Sequence, residues 1–217
     1  MKVGTDGVLL GAWVPVRDAG QILDVGCGTG LVSLMLAQRS KGKIDAVEID
    51  LAASEESKLN FERSIWNGRL DVFNTDFLEF SKMKTALYDL IVSNPPFFVN
   101  SLKSNSKSSA IARHDHMLSF GQLIIGARNL LRDEGRLCVI IPFESLLDFK
   151  ELARLCGFYL LSLMSVIPRA GMAPKRVLLE FTLQPTYPVE SNLTILDENG
   201  VYTEKYKSLT APYYPAF

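Results

Sequence analysis

The stretch DVGCGTG at residues 24–30 decides how this chain folds. It ends the short apolar run QILDV (21–25) and precedes LVSLMLAQR (31–39), whose apolar residues recur at helical spacing. Glycines between a strand and a helix allow a tight turn and a close approach of backbone to a ligand. The helix beyond begins with free N–H groups. The pattern therefore predicts the first βα unit of an open sheet, with a ligand-binding loop at its edge.

The same alternation of strands and helices continues along the chain. Apolar runs predict strands at 43–49, 69–74, 88–93, 136–142, 158–168 and 175–183, and helical spacing predicts helices at 51–65, 117–132 and 143–156. This order predicts an α/β fold with a doubly wound, mostly parallel sheet. A length of 217 residues suits a single domain over 1–217, with a core at about 4–183 and a C-terminal extension at 184–217.

Composition limits the class of protein. Hydrophobic residues make up 47% of the chain, so a full core is expected. No apolar run approaches the ~20 residues that cross a bilayer and no signal peptide opens the chain, which predicts a cytoplasmic protein with no membrane partner. The three cysteines lack metal-ligand spacing, as reduced cytoplasmic thiols do.

Basic residues gather after the strand at 88–93, although the net charge is only −1. They are Lys103, Lys107, Arg113, Arg128, Arg132 and Arg136, and a second group holds Arg169, Lys175 and Arg176. Binding to phosphates needs a local basic face and not a basic protein. On charge alone, scattered solvated cations explain these residues equally well.

The glycine loop and the acids around it favour a particular type of cofactor. The spacing is G-x-G-x-G and not the G-x-G-x-x-G of dinucleotide enzymes, and Asp24 would be badly placed beside a pyrophosphate. A carboxylate there suits a cofactor that bears a cation. Glu48, at the end of the second strand, is placed to accept both ribose hydroxyls. Asp76 could accept from an adenine amino group while Phe77 packs on the ring, although Asp after a strand is also an ordinary helix cap.

Four segments, DVGCGTG, AVEID (46–50), NTDF (74–77) and NPPF (94–97), resemble in order and spacing the class I S-adenosylmethionine-dependent methyltransferases. The resemblance covers about residues 4–183. It implies a Rossmann-like seven-stranded sheet with an antiparallel last strand, and S-adenosylmethionine as cofactor, leaving as S-adenosylhomocysteine, with no metal. It also implies that Gly26, Gly28 and Gly30 form the cofactor loop, that Glu48 holds the ribose, and that Asp76 and Phe77 flank the adenine.

The stretch IVSNPPFF (91–98) predicts the catalytic corner, formed by Asn94, Pro95, Pro96 and Phe97. The two prolines fix φ and remove two N–H donors, and Asn94 adds a side-chain carbonyl. The result is an acceptor-rich clamp for an –NH₂ group, with Phe97 as a stacking face. Ligands of open α/β sheets lie beyond the carboxyl ends of the strands, so we expect this corner to face the glycine loop. A merely proline-stiffened loop is the alternative.

The remaining segments narrow the substrate. The segment MKVGTDGVLLGAWV (1–14) predicts an apolar helix over the methionine end of the cofactor. The bacterial tRNA1(Val) (adenine-37-N6)-methyltransferases are the group that the chain resembles in this segment, in ARHDHMLSF (112–120) and in YTEKYKSLTAPYY (202–214). The resemblance implies a monomeric enzyme acting on a flipped tRNA adenine, with substrate contacts from Phe98, Lys103, Lys107 and Arg113.

Two other substrates fit the same clamp: guanine N2 in rRNA and the side-chain amide of a protein glutamine. The glutamine enzymes carry an extra helical domain, and the guanine enzymes commonly duplicate the core. Members of the adenine-N6 group carry a further stretch before the segment that matches MKVGTDG, which implies an internal start at Met1 or a truncated chain. His114 and His116 have the spacing of a metal pair but no third ligand in the sequence.

Overall fold

The computed structural model describes residues 4–16, 19–83, 87–95 and 118–214, and within them eight strands form one sheet. The strands are β1 (Gln21–Val25), β2 (Lys43–Glu48), β3 (Leu70–Asn74), β4 (Tyr88–Ser93), β5 (Leu131–Pro142), β6 (Tyr159–Arg169), β7 (Arg176–Thr182) and β8 (Val189–Leu196). The helices are α1 (Thr5–Trp13), α2 (Leu31–Arg39), α3 (Leu51–Arg63), α4 (Phe77–Met83), α5 (Phe120–Leu130), α6 (Leu146–Leu155) and α7 (Glu204–Thr210). Short 3₁₀ turns lie at Asn67–Arg69, Phe143–Ser145 and Ala211–Tyr213.

The strand order is β3-β2-β1-β4-β5-β7-β6-β8, and β7 runs antiparallel to both of its neighbours. The other pairs of neighbouring strands are parallel. From β1 the chain proceeds outward through β2 and β3, and it then returns to the other side of β1 with β4. The order of the strands therefore reverses between β1 and β4. A crevice at their carboxyl ends is where ligands of open α/β sheets bind.

The predicted α/β class, the mostly parallel sheet and the antiparallel last core strand are confirmed. The structure adds an eighth strand, β8, which pairs in parallel with β6 along the sheet edge. The sequence of β8, VESNLTIL, places a single fully buried side chain, Leu193, on the sheet, which explains why the segment gave no strand signal. Helices α4 and α7 were not predicted either.

Two apolar layers cover the sheet, one on each face. One layer packs side chains of α1, α2, α3 and α7 on the sheet, and the other packs side chains of α4, α5 and α6. Local signals set several helix starts: the Asp50 carboxylate accepts from Ala53 N at 2.8 Å, and Ser119 and Gln122 form a reciprocal capping box. Since helices cover both faces of the sheet, a ligand can reach β1 only beyond the carboxyl end of the strand.

Among the parts of the chain that the structure describes, none of the helices has both the length and the apolar character needed to span a bilayer.

Candidate active site

The glycine loop lies at the carboxyl end of β1 and folds back on β2. Gly26, Gly28 and Gly30 have φ angles of 70°, 57° and 83°, which residues with a Cβ rarely adopt. The N–H groups of Gly26 and Cys27 donate to the Val47 carbonyl at 2.8 and 3.1 Å. The Gly28 N–H donates to Glu48 Oε2 at 2.8 Å, and the Gly30 N–H donates to the Cys27 carbonyl at 3.0 Å. These amides already have acceptors, so they do not form the anion cradle that a pyrophosphate requires.

Asp24 places a buried carboxylate beneath this loop. Its side chain is 1% exposed, and Oδ2 accepts from Ser33 N at 3.1 Å and from Ser33 Oγ at 2.7 Å. The carboxylate thus occupies the positive end of α2, where a phosphate would otherwise bind. Burial raises the pKa of the Asp24 carboxyl to about 6, against the opposing effect of the two Ser33 hydrogen bonds. A desolvated carboxylate of this kind is suited to a cationic ligand.

A cavity of about 460 Å³ opens beside the loop, and its volume lies in the range typical of small-molecule sites. Residues from four strand ends and from α1 line it, and they include Gly4, Gly7, Asp24, Gly26, Gly28, Glu48, Asp76, Phe77, Asn94, Pro95 and Leu118. A Cβ on Gly26 would meet no atom within 4 Å. The backbone at Gly26 therefore borders open space that a ligand can fill.

Glu48 projects into the cavity from the end of β2. Its Oε2 accepts from Gly28 N at 2.8 Å and its Oε1 accepts from Asp50 N at 2.9 Å, so the carboxylate is held in one orientation. Each carboxylate oxygen has a second lone pair. Glu48 can therefore accept two further hydrogen bonds from a pair of neighbouring hydroxyls.

Asp76 and Phe77 form another wall. Asp76 Oδ1 accepts from Leu78 N at 2.8 Å and from Glu79 N at 3.1 Å, so this carboxylate caps α4 while it lines the cavity. The Phe77 ring is 4% exposed and packs on Gly126 of α5, where an added Cβ would come within 2.4 Å of Phe77 Cε1. Gly126 was not predicted from the sequence as part of the site. A glycine inside a helix, which costs about 1 kcal/mol relative to alanine, was the available signal.

Asn94 and Pro95 lie at the end of β4, beside the glycine loop. Ser93 pairs with Val25 in the parallel ladder, and Ser93 Oγ donates to the Val25 carbonyl at 2.8 Å. Asn94 and Gly26 are the residues that follow this pair. The Asn94 Oδ1 atom is buried and accepts no hydrogen bond within the described ranges. A buried carbonyl without a donor costs roughly 1–3 kcal/mol, and a ligand N–H would recover this energy.

Comparison with known proteins identifies the family of this chain. Residues 3–145 match the family model of the methyltransferase small domain. A tRNA1(Val) (adenine(37)-N6)-methyltransferase of Bacteroides fragilis is 43% identical over 215 residues, covering 99% of this chain and 91% of the relative. Proteins of the same name from Trichodesmium erythraeum and Photorhabdus laumondii are 43% and 39% identical, each over 99% of this chain and over 91% and 88% of the relative. The chain belongs to this methyltransferase family.

Solved structures support the fold of the methyltransferase. A predicted O-methyltransferase from Agrobacterium tumefaciens superposes with a TM-score of 0.75 at 18% identity, over 95% of this chain and 96% of the other. A putative class I S-adenosylmethionine-dependent methyltransferase from Listeria monocytogenes gives 0.63 at 15% identity, over 95% and 66%. The protein is thus a methyltransferase by family, and it has the fold of these two structures.

Several residues predicted for the site of the methyltransferase lie elsewhere or outside the described ranges. Gly30 is not among the lining residues; it is the N-cap of α2, and an added Cβ would come within 2.5 Å of the Phe61 ring. Its glycine serves packing behind the loop. The predicted residues Pro96, Phe97, Phe98, Lys103, Lys107 and Arg113, and the histidines 114 and 116, lie outside the described residues.

The described arginines of the predicted basic face mostly have structural partners. Arg132 pairs with Asp89, Arg136 donates to the buried Glu180 at 2.7 Å, and Arg176 donates to Asp6 at 2.8 Å. These ion pairs weaken the prediction that this group contacts phosphates. Within the residues that the structure describes, no cluster of three or more His, Cys, Asp or Glu side chains is placed to hold a metal ion.

Proposed function

We propose that this enzyme transfers the methyl group of S-adenosylmethionine to the exocyclic N6 amine of adenine 37 in tRNA1(Val). One observation carries the proposal: Asn94 Oδ1, which is buried and accepts no hydrogen bond from the residues that the structure describes, belongs to the same cavity as the glycine loop and the Asp24 carboxylate. An acceptor for an amine and a site suited to a cationic cofactor thereby share one space.

The cavity fits S-adenosylmethionine in charge as well as size. Asp24 offers a desolvated carboxylate to the cationic methionine portion, and Glu48 offers two oriented oxygens to the ribose hydroxyls. Asp76 and Phe77 supply an acceptor and an aromatic surface for the adenine. When bound, the cofactor supplies an activated methyl group. Metal coordination is not needed for any of these contacts.

Asn94 and Pro95 would orient the target amine. The lone pair of an exocyclic amine is delocalised into its ring, which makes the nitrogen a poor nucleophile. Hydrogen bonds from its two N–H groups to Asn94 Oδ1 and to the Pro95 carbonyl would draw the nitrogen toward tetrahedral geometry, with the lone pair facing the methyl group. Rate acceleration would come from positioning and from fixed dipoles, and the proton can leave after transfer.

The names of the curated relatives, at about 40% identity over nearly the whole chain, support tRNA1(Val) adenine 37 as the target. An adenine in an RNA loop has to leave its stack to reach a clamp of this kind, so we propose a flipped base. We further propose that the enzyme works as a monomer in the cytoplasm, where the substrate is available. The stacking role of Phe97 and the RNA contacts of Phe98, Lys103, Lys107 and Arg113 stay predictions from the sequence.

Methylation of total tRNA tests this function. The protein and methyl-labelled S-adenosylmethionine are incubated with tRNA from a strain that lacks the gene, and the digested nucleosides are identified by mass spectrometry. We expect N6-methyladenosine in tRNA1(Val). Parallel reactions with rRNA and with proteins from the same strain test the two alternatives. N2-methylguanosine or methylated glutamine, in the absence of N6-methyladenosine, would overturn the assignment.

A further inference from the structure

Helix α1 forms the wall of the cofactor cavity on the side of α2. Gly4, the N-cap of this helix, and Gly7, in its first turn, line the cavity. A Cβ on Gly7 would lie 3.3 Å from Leu31 Cδ2, so this turn packs closely on the first residue of α2, directly after the glycine loop. Any movement of the first turn of α1 therefore changes the shape of the cavity.

The first turn of α1 has little local stabilisation. The helix is nine residues long, and its N-cap, Gly4, has no side chain to accept from the free N–H groups. Isolated helices of this length are marginal in water. At the far end of α1, Arg39 Nη1 donates to the Gly11 carbonyl at 2.8 Å, which ties that end to α2. The end that borders the cavity needs another tether.

An ion pair between Asp6 and Arg176 supplies that tether. Arg176 Nε donates to Asp6 Oδ2 at 2.8 Å, and the side chains of Arg176 and Asp6 are 34% and 24% exposed. Arg176 is the first residue of β7 and pairs with Pro142 at the carboxyl end of β5. It therefore lies at the same end of the strands as the glycine loop. A second bond from Arg176 Nη1 to the Lys175 carbonyl, at 3.0 Å, orients the guanidinium. The contact joins residues 170 positions apart.

We propose that Arg176 is a positioning residue for methyl transfer, which acts through Asp6 by holding the first turn of α1 against the cofactor cavity. The assignment rests on the proposed cofactor site. Arg176 would touch neither the cofactor nor the RNA base. Its loss would loosen the wall formed by Gly4 and Gly7, so it would weaken cofactor binding more than it would slow the chemical step at saturating cofactor.

Calorimetric titration of S-adenosylmethionine into the purified protein tests this proposal. We expect Arg176→Gln to raise the Kd roughly fivefold, as a partly buried ion pair can. Arg176→Lys, which keeps the charge, should remain nearer to wild type. Asp6→Asn should also raise the Kd, and the effects of the two changes should be less than additive in the double variant, because both changes remove the bond between Arg176 and Asp6.

A matched ion pair at the other end of the strands, away from the glycine loop, provides the control. Arg132, near the amino end of β5, pairs with Asp89, near the amino end of β4. The two side chains are 48% and 27% exposed, and Asp89 also accepts from Gln21 N of β1 at 2.8 Å. Arg132→Gln should lower the melting temperature without a change in Kd. An unchanged Kd in Arg176→Gln, or additive effects in the double variant, would overturn the inference. If wild type itself failed to bind S-adenosylmethionine, the proposed function would fail instead.

Discussion

The Ser93 hydroxyl donates a 2.8 Å hydrogen bond to the Val25 carbonyl, and this bond locks the end of β4 to the end of β1. The two residues are also partners in the parallel ladder. Their successors, Asn94 and Gly26, therefore leave the sheet side by side and line one cavity. The register of two strands thus brings together the proposed amine clamp and the proposed cofactor loop.

Removing the Asn94 amide should slow methyl transfer strongly and leave cofactor binding intact. Asn94→Ala deletes an oriented acceptor, and the loss of one such dipole lowers kcat by about 10²–10³-fold in other enzymes. The Kd for S-adenosylmethionine should stay within a few-fold of wild type. Calorimetry and a tRNA methylation assay measure the two quantities, with Asn129→Ala on the exposed end of α5 as the control. Cofactor affinity that falls together with activity would contradict this division of roles.

Asp24 should make cofactor binding depend on pH. The pKa of its carboxyl in the folded protein is about 6, above the ordinary value of 3.8, and only the ionised form attracts a cation. The affinity for S-adenosylmethionine should therefore fall as the pH drops below about 6. Asp24→Asn should bind weakly throughout and show no such dependence. An Asp24→Asn variant with wild-type affinity at pH 8 would exclude the proposed cation contact.

The same carboxylate should reduce the stability of the ligand-free protein. Because the pKa is raised on folding, the folded state binds the proton more tightly than the unfolded state, and stability is lost as the pH rises from about 4 to about 6. At pH 8 Asp24→Asn should therefore be more stable than wild type, by roughly 1–3 kcal/mol, because the amide oxygen of the variant can still accept from Ser33. Urea unfolding at pH 8 measures this. A clearly destabilised variant would show that burial of the charge is not the dominant effect.

Glu48→Gln should weaken the binding of the cofactor by removing a hydrogen bond to its ribose. The amide nitrogen of glutamine cannot accept, so one of the bonds from Gly28 N and Asp50 N is lost together with one ribose contact. We expect a Kd for S-adenosylhomocysteine at least tenfold higher, since hydrogen bonds to a charged group contribute about 1.5–3 kcal/mol. An analogue without the ribose hydroxyls should bind the variant and wild type almost equally. Discrimination that persists with this analogue would place the ribose elsewhere.

Gly126→Ala should destabilise the protein and distort the cavity wall that Asp76 and Phe77 form. The new Cβ would lie 2.4 Å from the Phe77 ring, and overpacking of this kind typically costs about 1–3 kcal/mol. Gly121→Ala, in the same helix, is a matched control, because its Cβ would meet nothing closer than Ser119 Oγ at 3.9 Å. This second change should be neutral or stabilise by up to ~1 kcal/mol. Equal melting temperatures for the two variants would refute the packing role of Gly126.

Sequence alone predicted the parts of this protein that depend on local patterns. Periodicity placed β1 and β4 at the bounds observed, and the glycine spacing together with Asp24 predicted a loop for a cationic cofactor. The resemblance to known families supplied the position of Asn94 next to that loop, since strand order does not follow from local pattern. Contacts between distant segments were not predicted: Gly126 against Phe77 and Arg176 against Asp6 join residues that are neighbours only after folding.

The most direct test of the central claim is a distance. A crystal structure of the enzyme with S-adenosylhomocysteine and an RNA stem-loop carrying the anticodon of tRNA1(Val) would locate the target adenine. We predict that its N6 atom lies about 2.7–3.2 Å from Asn94 Oδ1, facing the cofactor sulfur. A target adenine that lies beyond hydrogen-bonding reach of Asn94, or a cofactor bound away from Asp24 and Glu48, would contradict this account.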